Sequence, residues 1–478
     1  MTSSQMADSR SYDAVAVGAG PNGLAAAVKL AQAGLSVALF ESRTTVGGGL
    51  FTKELTLPGF RHDVFASVHP LAAGSPFLRT LPLAEYGLEW VHSPAPLAHP
   101  LDDGTAIMLE RSVEATAQNL GKDAGAYKDL VEPLVKRWDD LAADIMRPLS
   151  FPRHPLLFSR FGLRAIRSAS GLAETVFGDT RARALFAGLG AHSIMPLDRQ
   201  GSAAIALVMC VTAHAVGWPI ARGGSQKIAE ALASYLRTLK GEIVTGRTIE
   251  AVEDLPKARV VVLDVTPRQL LRMLQHLPEG YQRKLQNHRY GPAAYKVEWA
   301  LKAPIPWRAA DCRRAATVHV GGTLQEIVKA ESAIWHGRPA EKPFVLLTQQ
   351  SLFDSTRAPE GQHVAGAYCH VPNGSDADMT AAIEAQVERF APGFCSLIIG
   401  RHELPPGELE MLNANCVGGD IAGGIQNLRR LLKSSLGSRP YAVPVKGFYV
   451  CSASTPPGAG VHGMCGYHAA VAALRELG

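Results

Sequence analysis

Near its start the chain carries an uninterrupted apolar run, Asp13-Ala-Val-Ala-Val17, of the kind that suits a strand buried on both faces. A glycine-rich stretch, Gly18-Ala-Gly-Pro-Asn-Gly23, follows it. Leu24 to Ala33 is rich in alanine and leucine and predicts a helix, with Gly34 as its stop. Leu35 to Phe40 predicts a second strand, which ends at Glu41. From about Glu85 to Ser202 the pattern is longer and more helical, and over Ser112 to Leu149 charged and apolar residues recur at helix-like spacing. Ile220 to about Leu274 returns to an α/β pattern: a helix over Gln226 to Lys240, strands at Glu242-Ile-Val, Ile249-Glu-Ala-Val and Val260 to Asp264, and a helix from Pro267 to Leu277. Short strand-like runs at Lys296–Leu301, Ala316–Val320 and Phe344–Thr348 mark the stretch from Pro292 to Ile399. The chain closes with a strand over Gly447 to Cys451, a glycine-rich loop and a helix over Tyr467 to Leu477.

The order of these elements predicts one dinucleotide-binding domain assembled from three separated pieces, 12–84, 217–285 and 440–478. A second, α+β domain for the substrate occupies 85–216 and 286–439. A length of 478 residues accommodates this, and 47% apolar against 19% charged residues predicts packed domains rather than disorder. The net charge of +5 comes without a long Lys/Arg run, so a nucleic-acid partner is not expected. The seven cysteines are scattered and none forms CxxC. That argues against a disulfide scaffold, a zinc ribbon and a redox-active disulfide, and it predicts a reducing, cytoplasmic setting with no metal. Met1 to Ser11 has no apolar signal-peptide core, and no apolar run is long enough to span a bilayer.

GxGxxG alone is a weak signal, but here it follows a strand and opens a helix, as phosphate binding requires. Gly18 serves the tight turn, Gly20 the approach of a pyrophosphate and Gly23 the close packing of helix on strand. The helix N-terminus supplies free N–H groups and partial positive charge. Glu41, about 20 residues on, stands where an acid binds ribose hydroxyls. Gly47-Gly48-Gly49 then allow a second backbone segment to approach the diphosphate, which NAD binding does not need and FAD binding uses. A second GxGxxG at Gly458 to Gly463 has no strand after its helix to carry a ribose acid. It is read instead as presenting the last helix N-terminus to a flavin carbonyl.

With these motifs in view the chain resembles the phytoene desaturase-related FAD-dependent oxidoreductases, close to the bacterial relatives of pyridine nucleotide-disulfide oxidoreductase domain-containing protein 2. The matching stretches are Gly18–Leu24, Glu41 with Gly47–Thr52, Pro58–Asp63, Trp218–Ser225 and Gly447–Met464. The resemblance implies a two-domain flavoprotein of the glutathione reductase and monoamine oxidase type, with FAD as cofactor. It places Gly18, Gly20 and Gly23 at the pyrophosphate, Glu41 at the adenosine ribose and Arg43 near the adenine, with Pro21, Asn22 and Ser42 among the cofactor-binding residues. Gly47, Gly48, Gly49 and Thr52 would line the path to the flavin. Residues around Ile249 to Val252 would lie beside the adenine, and Ser452 with Val461, His462, Gly463 and Met464 near the pyrophosphate, ribityl chain and flavin ring.

The implied chemistry is hydride transfer between flavin N5 and an apolar, unsaturated substrate of polyene, isoprenoid or lipid type, by desaturation, saturation or isomerisation, with a quinone or oxygen as candidate electron acceptor. An amine or amino-acid oxidase on the same scaffold and a flavin-binding scaffold without turnover are the alternatives. His69 and His462 are the candidate acid–base groups, although a structural role is the simpler reading of each among 16 histidines. Between Asp144 and Glu174 there is no acid. Arg147, Arg153, Arg160, Arg164 and Arg167 alternate there with Phe151, Leu156, Leu157, Phe158, Phe161, Leu163 and Ile166. This basic, apolar helical region suits a lipid interface, a tunnel wall or a packed face under the flavin domain.

Overall fold

A computed structural model describes residues 10–425 and 439–478. The polar start of the chain lies almost wholly outside them, as does the end of the stretch assigned above to the second domain.

Tyr12–Val17, Val37–Phe40, Glu242–Val244, Ala258–Leu263 and Phe448–Val450 form one parallel sheet. Numbered along the chain, their spatial order is 3-2-1-4-5, so the direction of winding reverses beside the first strand. Alternation along that strand divides the core. Ala14 and Ala16 pack with the helix Pro21–Gln32, while Val15 and Val17 join Leu270 and Met273 on the opposite face. A fully buried Val or Leu side chain contributes about 1.5–3 kcal/mol, so this run commits the segment to the sheet. The closing helix, Met464–Leu477, lies against Pro21–Gln32, and a Cβ at Gly466 would stand 1.8 Å from the Asn22 carbonyl oxygen. Only glycine permits that approach.

The second sheet has seven strands, in the order Ile398–Leu404, Ala293–Leu301, His363–Val371, Val345–Thr348, Ala315–Val320, Ala95–Pro100 and Ala106–Leu109. Its pairings are antiparallel except that of Ala95–Pro100 with Ala315–Val320. Helices Thr180–Ala191 and Ser202–Ala215 pack on each other beside it.

Three expectations need correction. Ile249 to Val252 is not a strand: it is irregular backbone running into a single 3₁₀ turn, Val252–Asp254. The edge of the sheet is already taken by Glu242–Val244, and the chain after it is pinned instead by Gly246 N–H donating to Arg43 O (2.7 Å) and Arg247 N–H to Glu41 O (3.0 Å). The closing helix begins at Met464 rather than Tyr467. In the basic apolar region, the helix Pro155–Ala165 buries Leu157, Phe161 and Ala165 but leaves Leu156 and Leu163 exposed, with Phe151 and Ile166 exposed beside it. None of these residues lines the central cavity, which removes the tunnel-wall reading. No helix among the described residues is long and apolar enough to cross a membrane.

A candidate dinucleotide cavity between the two sheets

The carboxyl ends of the parallel strands open into a cavity of about 1180 Å³ that continues to the second sheet. Gly18, Gly20, Pro21 and Asn22 form part of its wall. The helix Pro21–Gln32 has Gly20 as N-cap, no cap from that residue's side chain and no acid in its first turn; Pro21 has no N–H and Gly23 N–H is taken by Asp264, which leaves the Asn22 N–H to meet an anion. Gly23 stands behind the wall, where a Cβ would lie 1.8 Å from the Gly18 carbonyl oxygen. The second glycine cluster meets the first: a Cβ at Gly48 would stand 2.8 Å from the Gly20 Cα, and Gly47 N–H donates to Ala19 O at 2.9 Å. Gly48 and Gly49 line the cavity, and Gly47 lies beneath them.

Glu41 is buried at the end of the second strand. Its Oε2 accepts from Ala19 N–H at 2.7 Å, and its Oε1 accepts from Arg43 N–H at 3.0 Å and from the Ser42 hydroxyl at 3.2 Å. One carboxylate therefore shapes the glycine loop and faces the cavity. Ser42 and Arg43 share the wall, the Arg43 guanidinium lying 4.5 Å over the Phe51 ring and bonding Leu412 O. Arg247 to Ala251 complete this end; Val252 does not reach it and packs in the core behind. From the C-terminal loop, Ser452 and Val461 line the cavity, whereas His462, Gly463 and Met464 do not.

The two candidate histidines separate. His462 is buried, its Nδ1 accepts from Met464 N–H at 3.0 Å, and burial pulls its pKa down to about 4. It is a structural group at the start of the last helix, not an acid–base group in the cavity. His69 does line the cavity. Its Nε2 lies 3.0 Å from the Ser225 hydroxyl, and burial likewise brings it to about 4, so it is neutral at physiological pH.

Thr52, expected on the path to the flavin, serves a buried polar hub instead. Asp63 Oδ1 accepts from the Thr52 hydroxyl (2.7 Å) and from Ser225 N–H (2.8 Å), and its carboxylate pairs with the fully buried Arg357. Asp354 lies 3.6 Å from Arg357 on the other side. Arg357 holds Asp63 below the usual carboxylate range although burial alone would raise it. Lys296 reaches the cavity from the second sheet, its Nζ held by Asp63 O, by Phe65 O at 3.1 Å and by Glu298 at 2.6 Å.

Three parts of the wall were missed in the sequence. Asp264 ends the fourth strand beside Gly18, with Oδ2 accepting from Gly23 N–H at 3.1 Å; an acid closing an apolar strand run was the available signal. Lys296 sits mid-strand with no local mark. The segment Leu409 to Gly423 folds over the cavity and is tied to the strand end by Asn415 Nδ2 donating to Asp264 O at 2.9 Å.

Burial, and then the charge of Glu41, push Asp264 up to about 7. It is thus mostly protonated below that pH and ionised above it. An anionic diphosphate favours the protonated form, so FAD affinity is expected to fall about tenfold between about pH 6 and about pH 8.5. Titration of the apoprotein at several pH values checks this. Asp264→Asn should flatten the profile, and a flat wild-type profile would contradict the assignment.

The 3-2-1-4-5 sheet, its glycine-loop helix and the continuation of the cavity to a second sheet define the two-domain flavoprotein fold of glutathione reductase and monoamine oxidase. Its discontinuous Rossmann-like domain is of the FAD-binding type, and the residues present fit that cofactor. Residues 17–80 match the model of the NAD(P)-binding Rossmann-like domain family. The chain is 26% identical to pyridine nucleotide-disulfide oxidoreductase domain-containing protein 2 of Mus musculus, over 98% of this chain and 94% of the mouse protein. It is 24% identical to a phytoene desaturase of Fusarium fujikuroi, over 73% of this chain and 64% of that one. Among solved structures, an oxidoreductase from Methanosarcina mazei superposes with a TM-score of 0.64 at 16% identity, covering 98% of this chain and 100% of that one. Putrescine oxidase bound to putrescine superposes with a TM-score of 0.61 at 19% identity, covering 98% and 99%. The chain thus shares the fold of these structures and is similar in sequence to the relatives named.

Proposed function

We propose that this chain is an FAD-dependent oxidoreductase acting on an apolar, unsaturated small molecule, with a quinone or oxygen reoxidising the flavin. The observation that carries the reading is the wall facing the nucleotide end. Ile205, Val208 and Met209 present one face of the helix Ser202–Ala215, and Ile194, Trp218, Leu346 and Tyr368 continue it. None of these seven residues is charged; the carboxylates lining the cavity are Glu41, Glu250, Asp264 and Asp420, and Lys296 is buried and paired with Glu298. An amine substrate needs a counter-charge or an aromatic cage to receive its ammonium group; the seven residues named supply two aromatic rings, Trp218 and Tyr368, but no counter-charge. Bound flavin supplies hydride acceptance or donation. On this reading the chain's own residues position and seclude: the apolar wall excludes water, Lys296 is held at a set point by Glu298 and two carbonyls, and Glu41 with the two glycine clusters anchors the nucleotide.

Anaerobic mixing of the FAD-loaded protein with matched panels of unsaturated apolar compounds and of primary amines tests the proposal. Bleaching of the visible flavin band by the former, with a product changed by two hydrogens, is expected. Bleaching by amines alone would establish the oxidase alternative.

A further inference from the structure

The turn His192–Ile194 lies on the apolar wall of the cavity, after the helix Thr180–Ala191. Ile194 has φ +55°, an outlier for a β-branched residue, and strained backbone of this kind persists where the surroundings enforce it, often at ligand sites. His192 Nε2 lies 2.9 Å from His319 Nε2, and its ring meets Trp218 edge-on at 5.6 Å. His319 is fully buried on the strand Ala315–Val320, and its Nδ1 has no hydrogen-bond partner. Burial brings His192 down to about 3 and His319 well below the ordinary histidine value, so both rings are neutral.

Two facing neutral imidazoles share one proton between their Nε2 atoms. If His192 donated, His319 would carry its own proton on Nδ1 and bury an N–H with no acceptor. If His319 donates, its Nδ1 is only a bare lone pair. An orphaned buried N–H is the rarer and costlier of the two. His319 therefore donates to His192 Nε2, and the His192 proton sits on Nδ1. That atom has no protein partner among the described residues, and His192, unlike its buried neighbours, keeps accessible surface where it lines the cavity. Two further hydroxyls in cavity-lining residues, Ser193 and Thr317, also lack partners. Thr317 stands two residues before His319, on the same face of the strand.

We propose that His192, oriented by His319, donates a hydrogen bond from Nδ1 to an oxygen atom of the substrate, which is therefore an apolar molecule bearing a carbonyl or hydroxyl group rather than a pure hydrocarbon. This rests on the apolar-substrate reading of the same wall and narrows it.

The test is equilibrium binding of two probes, a long-chain methyl ketone and the alkene of equal chain length, to the FAD-loaded protein, followed by the flavin absorbance shift and tryptophan quenching. Wild type is expected to bind the ketone about five- to tenfold tighter than the alkene. His192→Phe should abolish that preference while keeping its flavin and its alkene affinity. His192→Asn, with an amide N–H close to the place of Nδ1, should retain most of it; should His192→Phe fail to fold, His192→Leu replaces it. Equal affinities in wild type, or a preference that survives in His192→Phe, would overturn the role of His192 and leave the proposed function standing. Binding of neither probe would overturn both.

Discussion

Glu41→Ala protein is expected to purify largely without flavin, and its apoprotein to bind FAD about a hundredfold more weakly than wild type. The carboxylate holds Ala19 N–H at 2.7 Å inside the glycine loop and is proposed to hold the adenosine ribose as well. Hydrogen bonds to a charged group contribute roughly 1.5–3 kcal/mol each, and losing one or two of them gives a change of this size. Glu41→Gln, which keeps an acceptor for Ala19 but not the charge, should fall between the two. The flavin-to-protein ratio after gel filtration measures the effect, and Glu41→Ala protein that keeps a full complement of FAD would show that the segment is misread.

Asp63→Ala should cause the largest loss of stability. Arg357 is fully buried, and without Asp63 its nearest remaining carboxylate is Asp354, 3.6 Å away. Breaking a buried ion pair from one side costs roughly 3–5 kcal/mol. At about 1 °C per kcal/mol for a chain of 478 residues, the apparent melting temperature of the FAD-saturated protein should fall by about 3–5 °C. The double variant Asp63→Leu/Arg357→Met should recover part of the loss, because it removes the stranded Arg357 charge while Asp354 keeps the Gly223 N–H at 2.7 Å and Arg222 at 3.9 Å. Because Arg357 keeps Asp63 below the usual carboxylate range, its stabilising contribution is present above that range. The contribution is lost as pH falls through the lowered value, so near-neutral pH should leave it intact. A single variant melting within about 1 °C of wild type would mean that the hub does not hold the segments together.

The nucleotide half of the site was legible because its signals are local. The strand, the glycines and Glu41 fall within about 30 residues, and each was read from its spacing. The hub was not, because it closes over 294 residues between Asp63 and Arg357, and Gly23 meets Asp264 across 241. No local pattern marks Lys296 or His192, since a strand lysine and a helix-end histidine look alike whether they face solvent or a cavity. Ile249-Glu-Ala-Val shows the opposite error. Its alternation suits a strand, but the sheet edge is filled by Glu242–Val244 and leaves it no partner. His462 was drawn toward catalysis by the motif around it, whereas the fold uses it to receive the Met464 N–H. The alternation of arginine and apolar residues around Pro155–Ala165 marked a basic, apolar helical stretch. Which side it would show was settled by packing, with Leu157 and Phe161 turned inward.

The most direct measurement is the identity and stoichiometry of the nucleotide released when the protein, reconstituted with a mixture of FAD, FMN and NAD(P), is freed of unbound ligand and denatured. One FAD per chain, with no FMN and no pyridine nucleotide retained, is the predicted result. A protein that keeps a pyridine nucleotide in place of FAD, or no nucleotide at all, would contradict the account.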